Sequence, residues 1–228
     1  EELSPGICVI NEFTLLGTSI TDNAFDKIFQ GKLSELQLLF KRLTELDNYH
    51  IAFYILKNCF AIPKLVFLLR TTPTWNQLNI LDEIDVHIKQ TLETLTNSHL
   101  DDNTWKFASL PINVGGIGIR KVRDTALPAF LSSVNAVMPL VSTMLNQSTL
   151  TTVEIADFED SLNAWNRLHP EPIVPENPSI QKEWDLIVVR QSLNIIRFIR
   201  DDDIARFLAL QKSESGAWLH ALPSKSIG

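Results

Sequence analysis

Apolar side chains recur at the three- and four-residue spacing of one helix face between residues 25 and 46, and again between residues 75 and 95. Because an α-helix turns once in about 3.6 residues, this spacing gathers the apolar side chains on one side of each helix. Helices bury such faces by packing against one another. The sequence therefore predicts a mainly α fold, organised as a helical bundle.

Shorter helices are predicted around this pair. One runs from residue 48 to residue 60, and a second covers residues 63–70, with Pro63 ending the first. A side-chain oxygen just before a helix accepts the free amide protons of its first turn. On this basis Asp22 and Thr74 are predicted to cap the two long helices.

The second half of the sequence predicts one buried helix and a proline-rich connection. Residues 122–145 are nearly all apolar and predict the most buried helix, with a kink or a break at Pro139. Four prolines in the ten positions 169–178 favour extended backbone, so this stretch is predicted to be a loop or linker. Helices are predicted on either side of it, at 151–168 and 179–200. The tail after it, with two further short helices, is expected either to start a new unit near residue 170 or to pack back on the bundle.

A short strand signal opens the chain. Residues 7–20 are rich in β-branched and aromatic residues and lead to a turn at Gly17. The sequence predicts a short N-terminal β-hairpin or strand ahead of the helices.

Charge and composition restrict the function classes. The net charge of −7 is acidic, whereas a self-sufficient nucleic-acid-binding domain is usually basic, so a nucleic-acid role would need a local patch. Cys8 and Cys59 lack metal-ligand spacing and are predicted to be buried, reduced thiols. Because no apolar run approaches the roughly 20 residues that span a bilayer and no leader opens the chain, an intracellular protein without membrane contact is expected.

The glycines of "VGGIGI" at residues 114–119 raise the question of a phosphate-binding loop. A dinucleotide loop needs GxGxxG between a strand and a helix N-terminus, with an acidic residue about 20 positions later. Here the match is partial and Pro111 lies in the approach. A structural turn is the favoured interpretation.

Two acidic runs, at residues 101–102 and 201–203, could in principle hold magnesium. Both stand directly before helical patterns, where carboxylates cap amide protons and complement the helix dipole, so capping is favoured. The five histidines share no ligand or catalytic spacing, and no GxSxG motif occurs. The residues therefore predict no catalytic residue, no metal and no cofactor, and the chain is not expected to be an enzyme by itself.

Basic residues form modest clusters that could contact phosphates or could simply lie on solvated helix faces. These are Lys41 and Arg42; Lys57, Lys64 and Arg70; and Arg120, Lys121 and Arg123.

Four separated segments, in order, resemble reverse transcriptases of non-LTR retrotransposons. "FTLLGTSI" at 13–20 is similar to the segment after the catalytic palm, and "LKNCFAIPKLVFLLRTTP" at 56–73 is similar to the helical thumb. "SLPINVGGIGIRKVRDTALPAFLSSV" at 109–134 resembles the signature beyond the thumb, and "SGAWLHALPS" at 215–224 resembles a segment further downstream. The aromatic-x-Asp-Asp turn that holds the family's polymerase metals would lie before residue 13 and does not occur.

The resemblance implies four regions. They are a palm-end hairpin remnant at 1–20, a thumb-like helical bundle at 21–108, a glycine turn and buried helical connection at 109–168, and a proline-rich linker with C-terminal helices at 169–228. It implies a primer-grip role for Leu15, Leu16 and Gly17. Thumb helices of the family follow the template–primer duplex, so the resemblance makes Lys57, Lys64, Arg70, Arg120 and Lys121 candidate nucleic-acid contacts.

Two functions follow from the resemblance. In the first, the chain is a non-catalytic helical module, derived from a retroelement reverse transcriptase, that binds a protein partner through exposed apolar helix faces. In the alternative, it is the thumb and connection part of a larger reverse transcriptase and contacts an RNA–DNA duplex. The acidic charge and the missing Asp-Asp motif favour the first.

Overall fold

The structure is a computed structural model that describes residues 14–19, 22–145, 157–169, 173–198 and 200–222. Two short antiparallel strands, β1 (Thr14–Leu15) and β2 (Thr18–Ser19), form a hairpin. Leu16 and Gly17 both have positive φ, 53° and 83°, as a two-residue type I′ turn requires. The hairpin expected from the sequence is present, although the part of the predicted strand before residue 14 lies outside the described residues.

The first bundle is built from the two long amphipathic helices and the helices between them. Helix α1 (Asp22–Thr44) packs against α4 (Leu78–Thr96), and α2 (Tyr49–Ile55) continues through a π-helical segment, Leu56–Phe60, before α3 (Ile62–Thr71). Their shared core buries one face of each helix. Its largest fully buried members include Phe29, Leu36, Leu43, Leu56, Leu65, Leu69, Leu81, Ile84, Ile88 and Leu92.

Two sequence-based expectations for this bundle need correction. Thr74 does not cap α4, because it lies in a short 3₁₀ turn, Thr74–Asn76, and its buried hydroxyl has no hydrogen-bond partner among the described residues. Cys59 is an exposed free thiol rather than a buried one, because the π-helical segment turns it outward. Helix α1 begins at Asp22, but the Asp22 side chain and Cys8 lie outside the described residues, so the predicted cap and the predicted buried thiol of Cys8 stay predictions.

The glycine stretch joins the bundle to the second half of the fold. Helix α5 (Asp102–Ala108) leads into a 3₁₀ turn, Ile112–Val114, and then to α6 (Val122–Met144). Helix α6 packs on α3, α4 and α8 along its first half, where ten of the thirteen residues from Val122 to Val134 are buried. A kink or a break was expected at Pro139; α6 runs through Pro139 as one helix, so there is no break, and the kink stays a prediction. Beyond Val134 most of the side chains of α6 are exposed.

The C-terminal part packs back on the bundle. Helix α7 (Phe158–Leu168) and α8 (Gln181–Ile195) flank the proline-rich loop, and both contact α6. Trp165 and Trp184 are 1% and 0% exposed. Their rings meet edge to face, with 4.8 Å between the ring centres. Helix α9 (Asp201–Leu210) and a 3₁₀ turn, Ala217–His220, complete the described chain, as the sequence predicted for two short helices.

Two helical stretches are long and apolar enough to cross a membrane by length and composition, Tyr49–Thr71 and Val122–Met144. The expectation that no such stretch exists is therefore wrong on this measure. Both stretches contribute side chains to the bundle core, as the core helix of a water-soluble protein also does, so they are weak evidence for a membrane span. The intracellular location remains a prediction.

Candidate functional site

The hairpin presents its turn residues to solvent. Leu15 is 51% exposed and Leu16 84% exposed, and Gly17 is exposed beside them. Thr18 points the other way, where its hydroxyl is hydrogen-bonded to the hydroxyls of Thr72 and Thr71. The structure thus fixes the hairpin on the C-terminal end of α3 and leaves the predicted primer-grip residues accessible.

Lys57 and Lys64, two of the predicted phosphate contacts, are engaged within the chain. The Lys57 ammonium donates to the carbonyl oxygen of Leu219 at 2.7 Å, and burial lowers its pKa. The Lys64 ammonium is 2.8 Å from Glu35, which also pairs with Lys32. The pKa of Glu35 is lowered by its hydrogen bonds with Lys32 and Lys64.

Arg70 and Arg120 both reach toward α8. The guanidinium of Arg70 donates to Gln181 Oε1 from Nε at 3.2 Å and from Nη2 at 2.9 Å. The guanidinium of Arg120 lies 3.8 Å from Asp185 Oδ1, an oxygen without a hydrogen-bond donor among the described residues. Burial raises the pKa of Asp185 above its ordinary value, and the nearby Arg120 partly offsets this.

Lys121 and Arg123 stand at the start of α6. The Lys121 ammonium lies 5.8 Å from the centre of the Trp105 ring, within cation–π range. The Arg123 guanidinium pairs with Asp82 on α4. The structure therefore gives each of Lys57, Lys64, Arg70, Arg120, Lys121 and Arg123 an intramolecular partner, and it distributes them over several surfaces.

The glycine stretch forms a packed turn. Gly115 and Gly118 have φ of 94° and 82°, which a residue with a side chain adopts only at a cost. A Cβ on Gly116 would overlap the carbonyl oxygen of Leu110. These glycines face the chain's own atoms, including Phe207 and Ile112, which agrees with a structural turn.

The acidic runs lie at helix starts. Asp101 caps α5, where its Oδ1 accepts from the backbone N–H of Thr104 at 2.7 Å, and that bond lowers the pKa of Asp101. The capping expected of residues 201–203 is not observed, because they form the first turn of α9 and the N-cap residue is Arg200, which makes no side-chain cap bond. Asp202 and Asp203 pair with Arg200 and Arg206 instead. Among the described residues, no three His, Cys, Asp or Glu side chains come together as a metal site would require.

A polar groove of about 310 Å³ runs between α1 and α4. A hydrogen bond crosses the groove between Gln37 Nε2 and His87 Nε2, which are 2.9 Å apart. Lys41 lies at its edge, in the last turn of α1 beside Arg42. The side chains that line the groove with Lys41 are mainly amides and hydroxyls, and they include Gln90 and Thr91.

One apolar surface has no partner among the residues that the structure describes, and sequence reasoning predicted only that such faces would exist, not where they lie. The second half of α6 exposes Val137, Leu140 (53%) and Met144 (70%), with Leu145 (56%) directly after it. We call these four residues the α6 apolar end. The sequence signal was available, because residues 125–153 contain no charged side chain. Length and hydropathy cannot tell which half of such a helix is buried.

The comparisons with known proteins give one match. Over 97 residues, 42% of this chain, the sequence is 27% identical to the retrotransposable element SLACS 132 kDa protein of Trypanosoma brucei gambiense. This similarity indicates a retroelement origin. The matched stretch is 8% of the length of that protein, so the chain corresponds to a small part of it. No protein-family profile matches the chain, and no solved structure does.

Proposed function

We propose that this chain is a non-catalytic helical module, derived from the palm end, thumb and connection of a non-LTR retrotransposon reverse transcriptase, that binds a protein partner. The four sequence segments that resemble reverse transcriptases and the retroelement similarity support the ancestry. The proposed function, binding of a protein partner, rests on the exposed side chains of the α6 apolar end.

The α6 apolar end has the properties of a protein-binding surface. Its large side chains lie next to one another on successive turns of one helix, because positions 137, 140 and 144 are three and four residues apart. Exposed apolar surface is costly in water, and clusters of it commonly mark interaction sites. A partner with an apolar, uncharged surface fits it best, since a charge facing this end would be buried without a counter-ion.

The basic residues support the same choice. Phosphate binding by Lys57, Lys64 or Arg70 would require each to leave its bond with Leu219, Glu35 or Gln181. Exchanging one partner for another returns little net free energy, so affinity for a duplex gains little from these groups. The net charge of −7 adds repulsion from nucleic acid.

Photo-crosslinking in the cells that express the protein tests the proposal. A benzoylphenylalanine at Met144 is expected to give one defined protein adduct, and Leu140→Asp in the same chain should reduce it at least about fivefold, because it buries a carboxylate in the contact. The same photoreactive group at Ser34, an exposed position on α1, is the matched control. The proposal is wrong if no adduct forms at Met144, or if the adduct is unaffected by Leu140→Asp.

The polar groove between α1 and α4 favours a second candidate function, contact with an RNA–DNA duplex as part of a larger reverse transcriptase. Lys41 lines this groove, with Arg42 next to it in the last turn of α1, and the Gln90 side chain in the lining could hydrogen-bond to a sugar–phosphate backbone. Here Lys41→Glu with Arg42→Glu should abolish duplex binding at low salt. If duplex binding survives this double change but falls with Lys57→Glu, the duplex contacts the thumb-like position Lys57 instead of the groove.

A further inference from the structure

A cavity of about 450 Å³ lies between the 3₁₀ turn at Thr74–Asn76 and helices α6, α7 and α8. Its lining is largely apolar and includes the rings of Trp75 and Trp165, with Leu127, Pro128 and Val188. This volume is within the range of about 300–1,000 Å³ that is typical of small-molecule sites. The cavity is on a different part of the surface from the polar groove between α1 and α4, with which it shares no lining residue.

The tryptophans in this region differ in how their indole N–H groups are satisfied. Trp165 donates to the carbonyl oxygen of Ile173 at 3.0 Å, and Trp184 donates to that of Pro178 at 2.7 Å. The Trp75 N–H is buried and has no acceptor among the described residues. A buried donor without a partner is uncommon and costs free energy, so an acceptor supplied by a ligand would be favourable here.

Charged and polar side chains also line the cavity. His169 packs on Trp165 with ring centres 3.9 Å apart and is hydrogen-bonded to Gln191. Arg167 is exposed and has no ion pair in the described part of the chain, whereas Arg123 is paired with Asp82. Asp124 is the acidic residue in the lining. Arg167 is therefore the group best able to attract an anion.

We propose that this cavity binds a flat aromatic acid: an apolar ring system packed against Trp75, Leu127 and Val188, with a hydrogen-bond acceptor for the Trp75 N–H and an acidic group for Arg167. The apolar lining supplies burial, the unsatisfied donor selects an acceptor, and the guanidinium selects the negative charge. This site does not depend on the protein-binding role proposed above.

Two dyes that differ in a single charged group test the proposal with the full chain. Anilinonaphthalene sulfonate is a flat aromatic acid, and N-phenylnaphthylamine has the same rings without the sulfonate. We expect saturable binding of the sulfonate at one site, and at least about fivefold weaker binding of the neutral dye, as the loss of one charge-assisted contact implies. Arg167→Gln should bring the two affinities together.

Variants locate the binding. Ser192→Leu places a larger side chain in the cavity lining and should abolish binding, whereas Asn194→Leu, an exposed position on the same helix outside the lining, should leave it unchanged. Trp75→Phe retains a ring but removes the donor and should weaken binding about tenfold or less. In a proton–nitrogen correlation spectrum, the indole signal that Trp75→Phe removes should be the one that shifts on titration.

Three results would overturn the proposal: non-saturable binding of the sulfonate, equal affinity for both dyes in the unaltered chain, or binding that Ser192→Leu does not change. The last result would place the dye elsewhere, for example on the α6 apolar end, and Leu140→Asp would then reduce it. Circular dichroism of each variant separates loss of the site from loss of the fold.

Discussion

The carboxylate of Asp85, in the middle of α4, caps the N-terminus of α6 at Val122. Asp85 Oδ1 accepts from the Val122 N–H at 2.7 Å, and Oδ2 accepts from the Arg123 N–H at 3.2 Å. The residue directly before α6, Lys121, makes no side-chain cap. The cap is thus supplied from another helix, 37 residues earlier in the chain, and it ties the first bundle to the most buried half of α6.

Removing this cap should destabilise the fold. In Asp85→Ala the Val122 and Arg123 N–H groups lose their acceptor, and Val122 is fully buried. We expect the free energy of unfolding at pH 5 to fall by about 1–3 kcal/mol, the usual cost of orphaned buried donors. Urea unfolding measures it. Asp82→Ala, which removes only the exposed pair with Arg123, is the control and should cost about 1 kcal/mol or less.

The same carboxylate should make stability depend on pH. Burial raises the pKa of Asp85 to about 7, more than its backbone hydrogen bonds lower it. The folded state therefore binds a proton that the unfolded state releases above an ordinary carboxyl pKa, so this contribution to stability is greatest at low pH and is lost as pH rises from about 4 to about 7. Against Asp85→Ala, the stability advantage of the unaltered chain should shrink between pH 5 and pH 8. An advantage that grows with pH would contradict the raised pKa.

The fold class could be predicted because α1 and α4 show their buried faces directly in the spacing of their apolar residues. Asp85 also carried a signal, since it lies on the same helix face as Leu81, Ile88 and Leu92, where a carboxylate needs a partner. The partner itself could not be predicted, because local periodicity does not say which helix start will meet that face.

The partners of the basic residues could not be predicted from the sequence for the same reason: they lie far away along the chain. Arg70 and Gln181 are 111 residues apart, and Lys57 and Leu219 are 162 residues apart. A cluster of cations looks the same in a sequence whether it faces solvent, a phosphate or the carbonyl of a distant turn. Thr74 failed as a predicted cap because the chain there forms a 3₁₀ turn, and α4 starts only at Leu78.

Two glycines should respond oppositely to the same substitution. In Gly116→Ala the new methyl group would overlap the Leu110 carbonyl oxygen, so backbone must move, and we expect a loss of about 2 kcal/mol or more. Gly31 lies within α1 with open space around it, so Gly31→Ala should gain about 0.5–1 kcal/mol from helix propensity. Thermal and urea unfolding of both variants measure this. Equal effects would mean that the glycine turn is not closely packed.

His169 should give a pH dependence opposite in sign to that of Asp85. It is 2% exposed between Trp165 and Gln191, and burial lowers its pKa. The folded state therefore holds the neutral ring, and the contribution of His169 to stability is present above its ordinary pKa of about 6.5 and is lost as pH falls below it. The neutral Nδ1 accepts a hydrogen bond from the Gln191 amide. Protonating Nδ1 would turn it into a donor facing another donor, so this hydrogen bond would be lost.

The variant His169→Asn tests this pH dependence. An asparagine at position 169 cannot be protonated, so the stability of the variant relative to the unaltered chain should improve between pH 7 and pH 5. A difference that stays constant over this range would show that His169 is protonated equally well in the folded and unfolded states.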